Sequence, residues 1–141
     1  MPDVKRRPHC VYQISYHFVW IPRYRKKVLI GAVAERLRAI CAAIAAELEF
    51  ETLALEVMPD HVHLFVSCPP KWSPAEVVRR FKGRSSRLLM QEFPQLKRQY
   101  WRGKTLWAEG YYIGTAGHPS ASLRAGSAAT IKRYIEESQC I

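Results

Sequence analysis

An α+β fold is predicted for this chain of 141 residues by three features of its sequence. Segments rich in β-branched, aromatic or alternating apolar residues lie at 10–21, 53–57, 61–68 and 105–115. Two segments of helical periodicity fall between them, at 32–49 and 74–91. Their order, β-α-β-β-α-β, is the ferredoxin-like plan, in which both crossover helices cover one face of an antiparallel sheet. The opposite face stays open unless a partner, a ligand or a last helix covers it. A further helical segment, 128–139, follows the sheet, so the expected chain is one domain over 1–141. Residues 1–9 read as a basic arm and 116–127, small, polar and Gly-rich, as a flexible connector.

Each element has its own signal. In 10–21, CVYQISYHFVWI has strand composition and Pro22 ends it, with a basic loop RYRKK at 23–27. In 32–49 the apolar positions Val33, Leu37, Ile40, Cys41, Ile44 and Leu48 recur at helical spacing in an Ala-rich stretch. Leu53, Leu55 and Val57 alternate, Met58-Pro59-Asp60 marks a turn, and HVHLFVSC at 61–68 alternates again. Ser73 is placed as an N-cap, with Pro74 at N1 and Glu76 at N3, a capping box that opens a helix to about residue 91. Ala128, Ile131 and Ile135 form the apolar stripe of the last helix.

Composition narrows the function. With 48% hydrophobic residues the chain is globular rather than disordered. No apolar run is long enough for a membrane span, and no apolar stretch follows the basic N-terminus as in a secretory signal. Cys10, Cys41, Cys68 and Cys140 are scattered, which argues against a zinc knuckle or a disulfide framework and fits a reducing cytoplasm. Lys+Arg number 22 against 12 Asp+Glu, a net charge of +10. Basic residues crowd into 1–30 and 71–104 and flank an acidic stretch at 31–70. A polyanion, most commonly nucleic acid, is favoured over a merely solvated basic face.

The segment 61–68 carries the chemistry. Side chains of a strand alternate between faces, so Val62, Leu64, Val66 and Cys68 belong against the helices. His61, His63, Phe65 and Ser67 then point to the other side, and residues i and i+2 stand about 7 Å apart. Two imidazoles at that spacing can share a metal ion or meet a phosphate. Alone, His-x-His is a weak signal, since strand histidines are commonly bystanders; Asp60, the Pro turn and the basic chain strengthen it. Tyr134 sits on the shoulder of the last helix's apolar stripe, suited either to ring packing or to nucleophilic attack beside the histidines.

YHFVWIPRYR at 16–25, LEVMPDHVHLFVSCPP at 55–70, FKGRSSRLL at 81–89, FPQLK at 93–97, LWAEGYYIGTAG at 106–117 and IKRYIEESQ at 131–139 follow one another in order. Together they closely resemble the insertion-sequence 200/605 transposases, the single-tyrosine HUH enzymes, over about residues 10–139. The resemblance implies that His61 and His63 are the HUH pair holding Mg²⁺ or Mn²⁺. It implies that Tyr134 attacks single-stranded DNA to give a 5′-phosphotyrosine link and a 3′-OH, with rejoining by a second 3′-OH. It further implies a homodimer that recognises hairpins at element ends, with tyrosine helices able to serve the partner's site.

Mg²⁺ prefers oxygen donors, so a protein oxygen should complete the shell. The family's third ligand is a glutamine four residues after the tyrosine, but here that position is Ser138 and the glutamine is Gln139. A fifth-residue offset turns Gln139 about 140° from Tyr134, which makes Glu137, at i+3, the better placed oxygen donor. The connector is also longer than the family's usual link. Arg79, Arg80, Lys82, Arg84 and Arg87 are expected on the second helix as contacts for hairpin phosphates. Trp72, Trp101 and Trp107 are expected in packing rather than stacked on bases. His17 is expected to be a structural strand residue, and His118 has no assigned role. The competing readings are a non-catalytic nucleic-acid-binding module on an RNA-recognition-like sheet, a decayed transposase that binds hairpins without cutting, and a histidine phosphoesterase, which would need a second HxH.

Overall fold

A computed structural model describes residues 5–7, 10–12, 14–100 and 105–115. The connector, the predicted last helix with Tyr134, Glu137 and Gln139, and also His118 and Trp101, lie outside the described residues.

A four-stranded antiparallel sheet forms the body. Its strands are β3 (Ser15–Trp20), β4 (Glu51–Met58), β5 (His61–Ser67) and β6 (Tyr112–Thr115), in the order β4-β5-β3-β6. Helices α1 (Gly31–Leu48) and α2 (Pro74–Glu92) are its crossovers. Taken with those helices, this order reproduces the expected βαββαβ plan. Phe18 and Trp20 of β3, Val62, Leu64 and Val66 of β5, and Val57 of β4 form one core with Val33, Leu37, Ile40 and Ile44 of α1 and Val77, Val78, Phe81 and Leu89 of α2. The helices therefore lie on one face of the sheet, opposite the histidines.

Local chemistry explains the boundaries. The capping box is present: Ser73 Oγ accepts from Glu76 N at 3.2 Å, and the Glu76 carboxylate accepts from Ser73 N at 3.2 Å. Helix α1 ends where Glu49 turns left-handed, with φ of 61°, so that its N–H and that of Phe50 close back on the last turn. The buried thiols of Cys41 and Cys68 are both pushed up to about 12 by burial.

Four departures from the expected elements have physical causes. The run 10–21 is two strands, not one: β2 (Cys10–Tyr12) pairs with β1 (Lys5–Arg7) in a separate ribbon, and β3 joins the main sheet. The basic arm 1–9 thus contributes a strand. The run 105–115 is also divided. Residues 106–108 follow Ile21–Arg23 through Arg23 N to Leu106 O and Ala108 N to Ile21 O, and Gly110, at φ +84°, interrupts the path before β6. A short helix, α3 (Pro94–Gln99), follows α2 where no element is expected; Pro sits at its N-terminus, where a missing N–H costs nothing. Finally, β4 has a register shift between Thr52 and Ala54, which takes Leu53 out of the expected alternation.

The face that carries the histidines is not open along its length. Along its two central strands Ser15, His17, Val19, Phe65 and Ser67 are all buried, while His61 and His63 are half-exposed.

Candidate metal centre and nucleic-acid interface

His61 and His63 occupy alternate positions of β5 and share one face, with ring centroids 4.8 Å apart. Val62, between them, is fully buried in the helix-side core. The register of the sheet decides what else surrounds them. Val19 of β3 and Glu56 of β4 lie directly across from His63, and Met58 lies across from His61.

Each imidazole is held through Nδ1. His61 Nδ1 is 2.8 Å from Asp60 Oδ1, so His61 donates there and its Nε2 lone pair remains. The second oxygen of Asp60 accepts from Arg25 Nε at 2.9 Å. Burial works to raise the Asp60 carboxyl, but its hydrogen bonds to His61 and Arg25 outweigh burial and hold it below its ordinary value. Arg25 reaches Asp60 from a one-turn 3₁₀ segment, Arg23–Arg25, in which Tyr24 and Arg25 are both left-handed, at φ of 62° and 51°. Side chains at such angles are strained by about 1–2 kcal/mol each. The stacking of Tyr24 on Tyr100, with ring planes 10° apart, helps to hold the turn.

His63 Nδ1 lies 3.2 Å from Nε2 of His17 on β3. Burial and the neighbouring His61 lower the His63 pKa, against the opposing carboxylate of Glu56. His17 is pushed down to about 4, chiefly by burial and then by His63, so it is neutral near pH 7. Sequence reasoning gave His17 no part in the site. Its signal is the pairing of β3 with β5, which no local pattern reveals.

The donor set fits a small divalent cation in part. The two imidazoles share one face, and each Nδ1 is engaged, His61's by the Asp60 carboxylate and His63's by the His17 ring, an arrangement that suits a shared ion. Among the described residues no third His, Cys, Asp or Glu joins them in a ligating group. An oxygen-preferring ion therefore needs donors beyond the two imidazoles.

A family model for IS200-like transposases matches residues 10–138. The chain belongs to that family. This IS200-like transposase is 39% identical to the ISDra2 transposase TnpA of Deinococcus radiodurans over 134 residues, 95% of this chain and 90% of the relative. It is 31% identical to the transposase for insertion sequence element IS200 of Salmonella typhimurium over 137 residues, 97% and 87% of the two chains. In three dimensions it is similar to a transposase crystal structure from D. radiodurans R1, with TM-score 0.82, 36% identity and coverage of 95% and 97%. The fold is also that of a REP-associated tyrosine transposase bound to a REP hairpin, with TM-score 0.57, 17% identity and coverage of 86% and 66%.

The basic side chains of α2 in the IS200-like chain sort into two groups. Lys82 is turned inward: its Nζ donates to the carbonyls of Ala108, at 2.9 Å, and Gly110, at 2.7 Å, and burial pushes it down to about 8. Arg84 pairs with Glu47 of α1. Arg79, Arg80 and Arg87 are exposed, with the Arg80 guanidinium 5.2 Å from the Trp72 ring centre. The serines of the same motif are also internal. Ser85 Oγ accepts from Trp107 Nε1 at 3.0 Å, and Ser86 Oγ accepts from Leu106 N at 3.1 Å. Trp107 is 2% exposed and Trp72 meets Phe50 edge-on, so both pack within the protein as expected. No described helix is long and apolar enough to cross a membrane.

Proposed function

We propose that this IS200-like transposase cuts and rejoins single-stranded DNA at the ends of an insertion sequence, using Tyr134 as nucleophile and a divalent ion, Mg²⁺ or Mn²⁺, held by His61 and His63. The observation that carries the reading is the pair of Nδ1-anchored imidazoles on one face of β5. Such anchoring is characteristic of metal-ligating histidines, and a strand pair with only a packing role has no need of it.

When bound, the ion supplies Lewis-acid polarisation of the scissile phosphate. His61 and His63 act as neutral donors, and Asp60 with Arg25 fixes the ring of His61. The Tyr134 oxygen forms a bond to phosphorus as the P–O3′ bond breaks. The phenol proton passes to solvent, and the departing oxygen takes up a proton to become a 3′-OH. The energy of the broken ester stays in the 5′-phosphotyrosine bond, so a second 3′-OH can rejoin the strand without an added energy source. The third ligand is assigned to Gln139 or, by helical spacing, Glu137.

The hairpin is assigned to the exposed arginines Arg79, Arg80 and Arg87. The fold of the REP-associated transposase, solved with a hairpin, supports this class of partner. Lys82 and Arg84 are assigned internal roles instead, because their charges are already engaged. The assembly is proposed to be a homodimer of single-domain chains, acting in the cytoplasm, with the tyrosine helix, 128–139, carried on the connector, 116–127.

The test is to incubate the purified chain with end-labelled single-stranded DNA from its element's flanks. A covalent protein–DNA adduct on denaturing gels is expected with Mn²⁺. It should vanish with a chelator and in Tyr134→Phe. Metal-independent binding with no adduct would instead favour a binding module or a decayed copy.

A further inference from the structure

We propose that His17 is a positioning residue for His63: it accepts a hydrogen bond from His63 Nδ1–H and so keeps the His63 Nε2 lone pair available to a divalent cation. The inference rests on the reading of His61 and His63 as ligands.

The geometry is specific. His17 Nε2 and His63 Nδ1 are 3.2 Å apart across neighbouring strands, on a diagonal two residues out of direct register. A neutral imidazole has one N–H and one lone pair, so this contact fixes which nitrogen of each ring carries the proton. Were His17 the donor, His63 would keep its proton on Nε2 and could not ligate through that atom. With His17 as acceptor, the free Nε2 of His63 matches the free Nε2 of His61, which Asp60 sets in the same tautomer.

The pocket around His17 holds its ring in place. Phe65 stacks on it at 4.3 Å with planes 8° apart, and the edge of Tyr112 meets it at 5.9 Å. Gly114 lies across from His17 on β6, and a Cβ there would come within 2.8 Å of the Tyr112 hydroxyl. A bare glycine thus lets Tyr112 fold over the strand toward His17. The ring is 1% exposed, and its Nδ1 is buried with no hydrogen-bond partner among the described residues. With Nε2 as acceptor the ring proton sits on Nδ1, and burying that N–H without an acceptor among the described residues is a cost. Phenylalanine would fill the same stack without that cost, so the feature is explained by what Nε2 does for His63.

The experiment uses the full chain labelled with ¹⁵N-histidine and stripped of metal. Long-range ¹H–¹⁵N spectra at neutral pH assign tautomers, and calorimetric titration with Mn²⁺ gives affinity. Wild type should show His63 as the Nδ1–H tautomer. His17→Phe should lose that preference and bind Mn²⁺ roughly 10-fold or more weakly, the range known for partners behind a metal ligand. His17→Gln, whose amide oxygen can replace the Nε2 acceptor, should restore most of the affinity. An Nε2–H tautomer in wild type, unchanged Mn²⁺ affinity in His17→Phe, or a His17→Gln no better than His17→Phe would overturn the proposal. If His17→Phe fails to fold, the wild-type tautomer and the His17→Gln affinity still decide. Loss of Mn²⁺ binding in His63→Ala separates the two levels: with it, a negative His17 result leaves the ligand reading intact. Wild-type binding in both His61→Ala and His63→Ala would bring down the ligand reading and this inference with it.

Discussion

At the scale of single residues, the half-buried end of one sheet face concentrates the polar contacts that matter. Asp60 joins two otherwise separate parts, the turn after β3 and the first residue of β5, through one carboxylate. Removing it should release both. Asp60→Ala is expected to weaken Mn²⁺ binding about 10- to 100-fold, as is usual when the partner behind a ligating histidine is lost. Titration calorimetry on the purified variant measures this, and an unchanged affinity would show that His61 needs no anchor. His17 gives a separate expectation for the metal-free protein. Its folded pKa, about 4, lies below the ordinary value of 6.5, so the unfolded chain takes up the proton first. The stability it confers is complete above the ordinary value and is lost as pH falls from there toward 4. His63, also lowered, acts in the same direction. Melting temperature should therefore drop across that window, and His17→Phe should flatten the drop.

At the scale of elements, α2 shows how one helix uses polar residues for different ends. Its capping box fixes the start, and Ser73→Ala should cost about 1 kcal/mol in urea unfolding. Midway, Lys82, Ser85 and Ser86 tie the helix to 106–110. Ser85→Ala leaves the Trp107 N–H buried without its acceptor, and a loss of about 1–3 kcal/mol is expected. The start and the middle of α2 differ in how far the sequence foretells them. The capping box is local, four residues that state their own geometry, and it was legible. The inward turn of Lys82 was not, because a lysine among arginines has the same charge whether it faces solvent or a carbonyl twenty-six residues away. The same distinction runs through the site. Alternation in 61–68 placed His61 and His63 on a shared face, since parity along a strand is local. That His17 would touch His63 required the pairing of β3 with β5. The continuous β-forming run 10–21 likewise hid a change of sheet, since composition carries no record of which neighbour a strand chooses.

At the scale of the whole molecule, the sheet separates two surfaces. The exposed arginines of α2 lie on the helix layer, and His61 and His63 lie on the opposite face. A hairpin on α2 therefore reaches the histidines only by passing around an edge of the sheet. Salt dependence of hairpin binding tests the division of labour on α2. Arg79→Gln and Arg87→Gln should each reduce the slope of log K against log salt by about 1, while Lys82→Gln should leave the slope unchanged even if it lowers stability. A reduced slope for Lys82→Gln would return that lysine to the DNA surface.

Cys41 in α1 and Cys68 just beyond β5 place one sealed thiol in each layer. With their pKa values near 12, neither offers thiolate to an alkylating reagent while the fold is closed. Site-by-site alkylation followed by mass spectrometry therefore times the opening of helix layer and sheet separately. A slower clock at Cys68 than at Cys41 on adding Mn²⁺ would locate the stiffening in the strand that bears the two imidazoles.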